Sequence, residues 1–194
     1  MSEKEKNLRG TKTEQNLINA FAGESQARNR YTYFAKQAKE DGYEQISEIF
    51  CITADNEKEH AEKFYEYIGD TRGHVDSEYP FELGTTEENL ISAIEGENEE
   101  AEILYAEGER VAREEGFEDI ADTFHNVIKA ERHHRERYAK LLENVKNKTV
   151  FKKDEETDWM CRKCGFVCHS KTAPAKCPSC EHPQAYFQVL CENY

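Results

Sequence analysis

The stretch Glu57-Lys58-Glu59-His60 places a glutamate and a histidine one helical turn apart, and Glu131-Arg132-His133-His134 repeats that spacing 74 residues later. Around both stretches, apolar residues recur every three or four positions, which is typical of the buried face of an amphipathic helix. Burying an unpaired carboxylate costs several kcal/mol, so an apolar residue is expected at the middle of such a face. Two matched pairs of acid and imidazole therefore predict helices that share a polar centre.

The helical part of the chain is an internal repeat, and the repeat predicts its architecture. Asn16-Leu17-Ile18-Asn19-Ala20 returns as Asn89-Leu90-Ile91-Ser92-Ala93, and Gly23-Glu24 returns as Gly96-Glu97, both at an offset of 73. Two related helical hairpins joined by one long crossover form a four-helix bundle. The fold class expected is therefore mainly α. We expect the helices at residues 13–41, 43–68, 86–115 and 117–146.

One residue is inserted in the second half of the repeat. Tyr31 returns as Tyr105 and Phe50 returns as Phe124, both at an offset of 74, so the offset changes after Glu97. A residue inserted into a helix is commonly absorbed as a π-bulge, and such bulges often lie at functional sites. We therefore expect a π-bulge between Glu97 and Tyr105.

Every predicted helix carries a glutamate near the middle of its apolar face. The residues are Glu24 in the first helix, Glu57 and His60 in the second, Glu97 and Glu100 in the third, and Glu131 and His134 in the fourth. Five converging carboxylates repel one another, but two divalent cations bring a charge of about +4 and two trivalent ones about +6. Paired Glu-x-x-His helices that face two glutamate helices bind two iron or manganese ions. These seven residues are therefore candidate ligands of a dinuclear metal site.

A second interpretation of these glutamates remains open. A single such glutamate in so acidic a chain is more often a solvated surface residue, and one Glu-x-x-His motif is a weak signal. Four glutamate-bearing faces in two matched halves favour the metal site. Glu100 depends on its place in the pattern, where it corresponds to Ala27 at an offset of 73, because the ordinary acids Glu99 and Glu102 lie beside it.

Six of the seven cysteines lie in the last 34 residues. Four of them form two pairs, Cys161-x-x-Cys164 and Cys177-x-x-Cys180, with twelve residues between the pairs. Four thiolates at this spacing indicate a tetrahedral site for iron or zinc, and the spacing does not choose between an iron centre and a structural zinc ribbon. Gly165 permits the tight turn that points backbone N–H groups at sulfur.

The other three cysteines have no such spacing. Cys51 stands alone in a helical pattern, where we expect a small buried apolar residue. Cys168 and Cys191 are assigned no role.

The net charge of the chain argues against two classes of binding partner. The chain has 194 residues, with 26 basic and 40 acidic side chains and a formal charge of −14. Nucleic acids and anionic membranes attract basic surfaces, so neither is expected as a partner. No stretch approaches the roughly 20 apolar residues of a membrane span, and no apolar segment follows Met1–Lys6 as in a secretory signal. We expect a cytoplasmic protein.

These motifs together resemble the rubrerythrin family. The most specific are Phe21-Ala22-Gly23-Glu24-Ser25-Gln26-Ala27-Arg28-Asn29-Arg30-Tyr31, the two Glu-x-x-His sites and the closely spaced cysteine pairs. The resemblance implies a ferritin-like four-helix bundle at residues 1–148, a polar linker at 149–158 and a small rubredoxin-like domain at 159–194. The twelve-residue spacer is shorter than in classical rubredoxins, and Glu181 stands where those proteins usually have a glycine after the second cysteine pair.

The resemblance also implies an activity, namely a non-haem di-iron peroxidase that reduces hydrogen peroxide to water. Glu57 and Glu131 would bridge two irons, Glu24 and Glu97 would be terminal ligands, and His134 would bind one iron. Glu100 and His60 would be alternative ligands of the other iron. Tyr31 and Tyr105 would donate hydrogen bonds to ligating carboxylates. Each chain would hold three irons, the third of them in the four-cysteine site, which would relay electrons from an external reductase or small carrier protein. Family members pair as dimers.

Other functions remain open at this stage. A similar bundle oxidises ferrous iron in ferroxidases and iron-storage proteins, although storage does not require a fused electron-carrying domain. A di-metal protein whose zinc ribbon is an interaction module is a second alternative, and a di-manganese catalase is a third. Metal content separates these alternatives. The sequence has no glycine-rich dinucleotide motif, so NAD(P)H would act only through the external donor.

Overall fold

The computed structural model describes residues 7–194 and contains the four-helix bundle expected from the sequence. The first six residues of the predicted bundle domain lie outside the described residues. The helices are α1 (Lys12–Glu40), α2 (Glu44–Ile68), α3 (Thr86–Glu99), a π-helical turn (Glu100–Leu104), α4 (Tyr105–Glu115) and α5 (Glu118–Lys146). Because α3, the π-helical turn and α4 form one continuous rod, the predicted bounds of all four rods are confirmed to within one residue.

The π-bulge expected between Glu97 and Tyr105 is confirmed. The π-helical turn starts at Glu100, and the backbone N–H of Tyr105 bonds to the carbonyl of Glu100 five residues earlier. The inserted residue is therefore absorbed inside the third rod. Residues on both sides of the insertion keep the faces that they have in the first half of the repeat, so Glu97 and Tyr105 both point into the bundle.

The bundle core has two apolar layers with a polar layer between them. One apolar layer contains Leu17, Phe64, Tyr105 and Phe124, and the other contains Tyr31, Phe34, Phe50, Leu90 and Tyr138. On α1 the buried charged residue between the layers is Glu24. The polar layer is thus shielded from water at both ends by aromatic and aliphatic side chains.

The turn of each helical hairpin caps the first helix of the other hairpin. Asp41 Oδ2 accepts hydrogen bonds from Thr86 N at 2.9 Å and Thr86 Oγ1 at 2.6 Å. Glu115 Oε2 accepts the equivalent bonds from Thr13 N at 2.9 Å and Thr13 Oγ1 at 2.6 Å. Carboxylates at helix N-termini satisfy free backbone N–H groups and interact favourably with the helix dipole. The two halves of the repeat are therefore fastened to each other at both ends.

The C-terminal part is a three-stranded antiparallel sheet with the order β2-β1-β3. Its strands are β1 (Lys152–Cys161), β2 (Val167–Thr172) and β3 (Phe187–Val189), with a 3₁₀ turn at Gln184–Tyr186. The stretch 149–158, which the sequence predicts as a linker, contains most of β1. Its polar residues lie in a strand with both faces largely exposed, so their composition resembles that of a loop.

The sheet lies against the end of the first helical hairpin. Tyr43 stacks on Phe151 with ring centroids 6.1 Å apart, and Arg162 forms an ion pair with Glu48 on α2. Among the helices of the described chain, none is long and apolar enough to cross a membrane.

The hydrogen bonds at Asp41 and Glu115 give a pH-dependent contribution to stability. Burial raises the pKa of Asp41, but the hydrogen bonds from Thr86 lower it by more. The hydrogen bonds from Thr13 likewise hold the pKa of Glu115 below its ordinary value. Because both pKa values are lowered on folding, this stabilisation is present above the unfolded-state pKa and is lost as the pH falls through the folded-state pKa.

We expect Asp41→Ala and Glu115→Ala each to lower the free energy of unfolding by about 1 kcal/mol at neutral pH, the usual cost of a lost helix cap. The difference from the parent protein should shrink as the pH is lowered below the ordinary carboxyl range. Urea unfolding followed by helical circular dichroism measures it. Glu40→Ala is the control. A cost that is independent of pH, or equal in the control, would contradict these roles.

Candidate metal centres

The structure brings six of the seven candidate ligands together at the middle of the bundle. They form two sets, and within each set one ligand atom from every residue lies within 4.8 Å of all the others. The sets are Glu24, Glu57, His60 and Glu131, and Glu57, Glu97, Glu131 and His134. The four glutamates are at most 1 % exposed, so the interpretation of them as surface residues is wrong.

Glu57 and Glu131 belong to both sets, and each directs one oxygen toward each histidine. Glu131 Oε1 lies 2.9 Å from His60 Nδ1, and Glu131 Oε2 lies 2.9 Å from His134 Nδ1. The corresponding distances from Glu57 are 3.1 Å to His60 and 3.3 Å to His134. A carboxylate whose two oxygens face two neighbouring imidazole nitrogens has the arrangement of a bridge between two ions.

Two tyrosines hold the outer oxygens of the remaining two buried carboxylates. Tyr31 donates a hydrogen bond to Glu97 Oε1, and Tyr105 donates one to Glu24 Oε1, both at 2.7 Å. Burial raises the pKa of both phenols well above the ordinary value, so each keeps its proton and remains a donor. The bonds fix the orientation of each carboxylate and leave its second oxygen directed toward the centre.

The inner carboxylate oxygens lack partners. Among residues 7–194, no group donates a hydrogen bond to Glu24 Oε2, Glu57 Oε1, Glu97 Oε2 or Glu131 Oε1, although all four are buried. Some of them lie close to histidine Nδ1 atoms, but not in the geometry of a hydrogen bond. Four buried oxygens left unsatisfied at one place cost several kcal/mol in total, and cations remove this cost. The donor set thus fits two metal ions that carboxylates and imidazoles bind, such as iron or manganese.

The pKa shifts of the buried acids and histidines are consistent with a site for cations. Burial, with repulsion from neighbouring carboxylates, raises the pKa of Glu24 and Glu97 well above the ordinary value. Burial lowers the pKa of His60, but the adjacent carboxylates of Glu131 and Glu57 favour its protonated ring, outweigh the effect of burial and raise the pKa to about 10. The same opposing effects raise the pKa of His134 to about 12. The protein alone therefore leaves excess negative charge in the layer, which protons or metal ions must balance.

Glu100, the seventh candidate, lies outside both sets. Its side chain is largely buried at the start of the π-helical turn and points into a cavity between α1 and α3. A Cβ atom on Gly23 would lie 3.7 Å from Glu100 Oε1, so the carboxylate rests beside the backbone of α1. In this structure His60, and not Glu100, completes the first set.

The four paired cysteines form a third candidate centre at the tip of the sheet. Cys161 Sγ lies 3.7 Å from Cys180 Sγ, and Cys164 Sγ lies 3.7 Å from Cys177 Sγ. A disulfide bond is only about 2.05 Å long. A tetrahedron with metal–sulfur bonds of about 2.3 Å has edges of about 3.8 Å, so the sulfur atoms lie where a tetrahedral ion requires them.

The two cysteine loops have the same backbone geometry. Gly165 N donates to Cys161 O at 2.8 Å, and Glu181 N donates to Cys177 O at 2.9 Å. Both residues are left-handed, with φ of 77° at Gly165 and 64° at Glu181. A backbone hydrogen bond from Phe166 lowers the pKa of Cys164 to about 7, which favours the thiolate. The non-glycine residue at position 181 therefore does not prevent the second loop from forming.

Two residues have a degree of burial that the sequence did not predict. Cys51 is exposed rather than buried, because it follows Phe50 and so lies off the apolar face of α2. Arg30 is buried beside Tyr31, although an arginine is usually a surface residue. The available signal was its spacing: Arg30 lies three residues after Ala27 and four before Phe34, both of which are buried.

Comparison with known proteins identifies relatives of both parts of the chain. The family model described as rubrerythrin matches residues 15–142, and the model described as rubrerythrin, rubredoxin-like domain, matches residues 159–188. Rubrerythrin-1 of Clostridium acetobutylicum is 48 % identical over 194 residues, covering 97 % of this chain and 100 % of the relative. Rubrerythrin of Porphyromonas gingivalis is 47 % identical, covering 100 % of this chain and 97 % of the relative.

Solved structures give the same result for the fold. Nigerythrin in a mixed-valence state superposes with a TM-score of 0.64 at 30 % sequence identity, over 98 % of this chain and 91 % of the other. Fully reduced, all-ferrous nigerythrin superposes with a TM-score of 0.61 at 30 % identity, over 94 % of this chain and 91 % of the other. The likeness thus includes the bundle and the cysteine-containing sheet.

The geometry of Glu131 gives a prediction about metal stoichiometry. Because Glu131 contacts both histidines, Glu131→Ala should abolish binding of both ions, whereas Glu24→Ala should weaken only the ion on the His60 side. Anaerobic titration with Co²⁺ or Fe²⁺ followed by elemental analysis counts the ions. Glu102→Ala, on the surface, is the control. Retention of two ions by the Glu131 variant would contradict its role as a bridge.

The left-handed backbone at Glu181 gives a prediction about the cysteine centre. Left-handed geometry costs a residue with a side chain about 1–2 kcal/mol, and glycine escapes this cost. We expect Glu181→Gly to slow the release of metal from the four cysteines to a chelator. Glu181→Ala removes the same carboxylate but keeps the strain, so it should release metal no more slowly than the parent. Equal slowing in both variants would contradict the backbone explanation.

Proposed function

The chain belongs to the rubrerythrin family, and on that premise we propose that it is a non-haem di-iron peroxidase that reduces hydrogen peroxide to water. Family members are di-iron proteins of oxidative-stress defence. The single observation that carries the proposal is the set of four buried carboxylate oxygens without hydrogen-bond partners, in the same chain as four convergent thiols. The buried carboxylates provide a place for two reactive ions. The four thiols provide a place for an ion without an open coordination position.

We propose that the chain holds three irons. Glu24, Glu57, His60, Glu97, Glu131 and His134 would hold two of them, with Glu100 as an alternative ligand to His60, and the four paired cysteines would hold the third. When bound, a pair of ferrous ions supplies the two electrons that reduce one O–O bond, and an iron held by four thiolates supplies electrons one at a time. Zinc also fits the four thiolates, so the metal content decides whether that centre can carry electrons.

The protein's own residues would prepare and protect this site. Tyr31 and Tyr105 orient Glu97 and Glu24 through their hydrogen bonds, so little reorganisation is needed when charge changes at the centre. The apolar layers on both sides exclude water from the polar layer. A cavity of about 850 Å³ between α1 and α3 reaches Glu100 and Tyr105, and a molecule as small as hydrogen peroxide can enter it.

The four-cysteine centre would relay electrons from an external reductase or a small redox carrier. Within the chain, Arg162, which follows Cys161, forms an ion pair with Glu48 on α2. Glu48 is nine residues, or about 14 Å of helix, from Glu57. We propose that the chain forms a homodimer or higher homo-oligomer in which the centre of one subunit serves the bundle of another. Because free thiols and reduced iron are required, we place the protein in the cytoplasm.

The relay assignment is tested by separating electron delivery from peroxide reduction. We expect Cys164→Ser to abolish steady-state turnover with a protein electron donor, since the third centre would no longer carry electrons. After chemical reduction of its bundle site, the same variant should still consume one equivalent of peroxide at the parental rate. Stopped-flow absorbance measures this single turnover, and Cys168→Ser, which lies outside the four-cysteine set, is the control.

Unchanged steady-state turnover in Cys164→Ser would contradict the relay. The same experiment tests the activity itself, because the reduced protein is mixed with hydrogen peroxide and with oxygen separately. Faster oxidation by peroxide supports the peroxidase. Faster oxidation by oxygen, together with accumulation of ferric iron beyond three per chain, would contradict it and favour a ferroxidase or iron-storage protein.

A further inference from the structure

Arg30 and Glu100 both line the cavity beside the polar layer. The cavity lies between α1 and the third rod, under residues 76–82 of the crossover. Arg30 enters it from α1, and Glu100 enters it from the first position of the π-helical turn. The metal-ligand sets explain neither of these side chains, because neither belongs to a set.

Arg30 is a buried cation with unused hydrogen-bond donors. It is 7 % exposed, and its Nε and Nη1 have no hydrogen-bond partner in the described part of the chain. Its guanidinium extends over the backbone of α3, where a Cβ on Gly96 would lie 3.1 Å from Nη2. The rings of Tyr31 and Phe34 flank the guanidinium carbon at 5.6 and 5.9 Å. A buried guanidinium with free N–H groups requires an anion, because leaving it unpaired costs several kcal/mol.

Glu100 is the matching anion. Its side chain is 9 % exposed, and its carboxylate belongs to neither metal-ligand set. Glu97 and Glu100 are three residues apart on one rod, so they share a face and rotation about the Glu100 side-chain bonds moves its carboxylate between the ligand sets and the cavity. Glycine at positions 23 and 96 leaves the space in which the two charged groups lie.

We propose that Arg30 is a positioning residue that binds the carboxylate of Glu100 as a forked ion pair when two reduced metal ions occupy the ligand sets. This inference rests on the proposed di-iron function. Glu100 then has two positions, one at the metal-ligand sets and one at Arg30, and His60 completes the first set when Glu100 is at Arg30. The planar guanidinium suits a carboxylate because two parallel N–H groups meet its two oxygens.

The two positions of Glu100 differ in the number of carboxylates that they leave at the metal centre. With Glu100 at the metals, five carboxylates face the centre, and with Glu100 at Arg30, four remain, which match the charge of two divalent ions. Pairing with Arg30 offsets the cost of leaving a carboxylate buried away from the metals. The arginine therefore favours the reduced state of the centre by stabilising the position of Glu100 that this state prefers.

The test is a double-mutant cycle read by reduction potential and not by turnover. Arg30→Met keeps the apolar stem but removes the charge and the donors, and Glu100→Gln keeps the shape but cannot form the ion pair. Iron content is measured first in every variant, and the midpoint potential of the bundle centre is then found by spectroelectrochemical titration. We expect Arg30→Met to lower the reduced-to-oxidised ratio at a fixed potential about tenfold, which is 59 mV for a one-electron couple.

In the Glu100→Gln background, the effect of Arg30→Met should fall to less than half, because only the through-space effect of the charge remains. An equal effect in both backgrounds would overturn the inference while leaving the proposed function intact. Absence of iron from the bundle of the parent protein would overturn both.

A crystal structure of the reduced, iron-loaded parent protein tests the same inference without substitutions. We expect a Glu100 oxygen within about 3 Å of an Arg30 nitrogen. Glu100 bound to metal in both redox states, or directed at solvent in the reduced state, would overturn the pairing.

Discussion

The burial of carboxylates in a layer enclosed by apolar side chains is the constraint on which the rest of the structure depends. Glu24, Glu57, Glu97 and Glu131 are fully buried, and no group in residues 7–194 donates a hydrogen bond to their inner oxygens. A bundle that only had to be stable would place leucine at these positions. The folded chain therefore carries an electrostatic cost at its centre, which bound cations would relieve. Binding of metal and stability of the bundle are linked for this reason.

The internal repeat explains how the side chains of the polar layer are oriented. Each half contributes a Glu-x-x-His pair, a second buried glutamate, and a tyrosine that donates a hydrogen bond to that glutamate of the other half. The reciprocal caps at Asp41 and Glu115 follow the same symmetry. The residue inserted at the π-helical turn breaks the symmetry of the two halves. Glu100 lies at this turn, at the position that corresponds to Ala27 in the first half. The two otherwise similar half-sites are therefore unequal at this position.

Much of this arrangement could be predicted from the sequence, because it follows from local periodicity. The spacing of apolar residues, the repeat and the one-residue change of offset located the helices, the ligand candidates and the π-bulge. The features that were missed depend on contacts between distant segments. Asp41 and Arg30 look like surface residues in the sequence, and only packing against α3 gives them partners or burial. The strand over residues 152–161 was missed because both of its faces are polar and largely exposed.

The most direct test of the account is anomalous diffraction at the iron absorption edge from crystals of the protein purified without added metal other than iron. We expect two peaks about 3.5–4 Å apart between Glu57 and Glu131, one on the side of each histidine, and a third peak among the four cysteine sulfur atoms. A bundle that contains only protonated carboxyl groups or water at this position, with full iron in the growth medium, would contradict it.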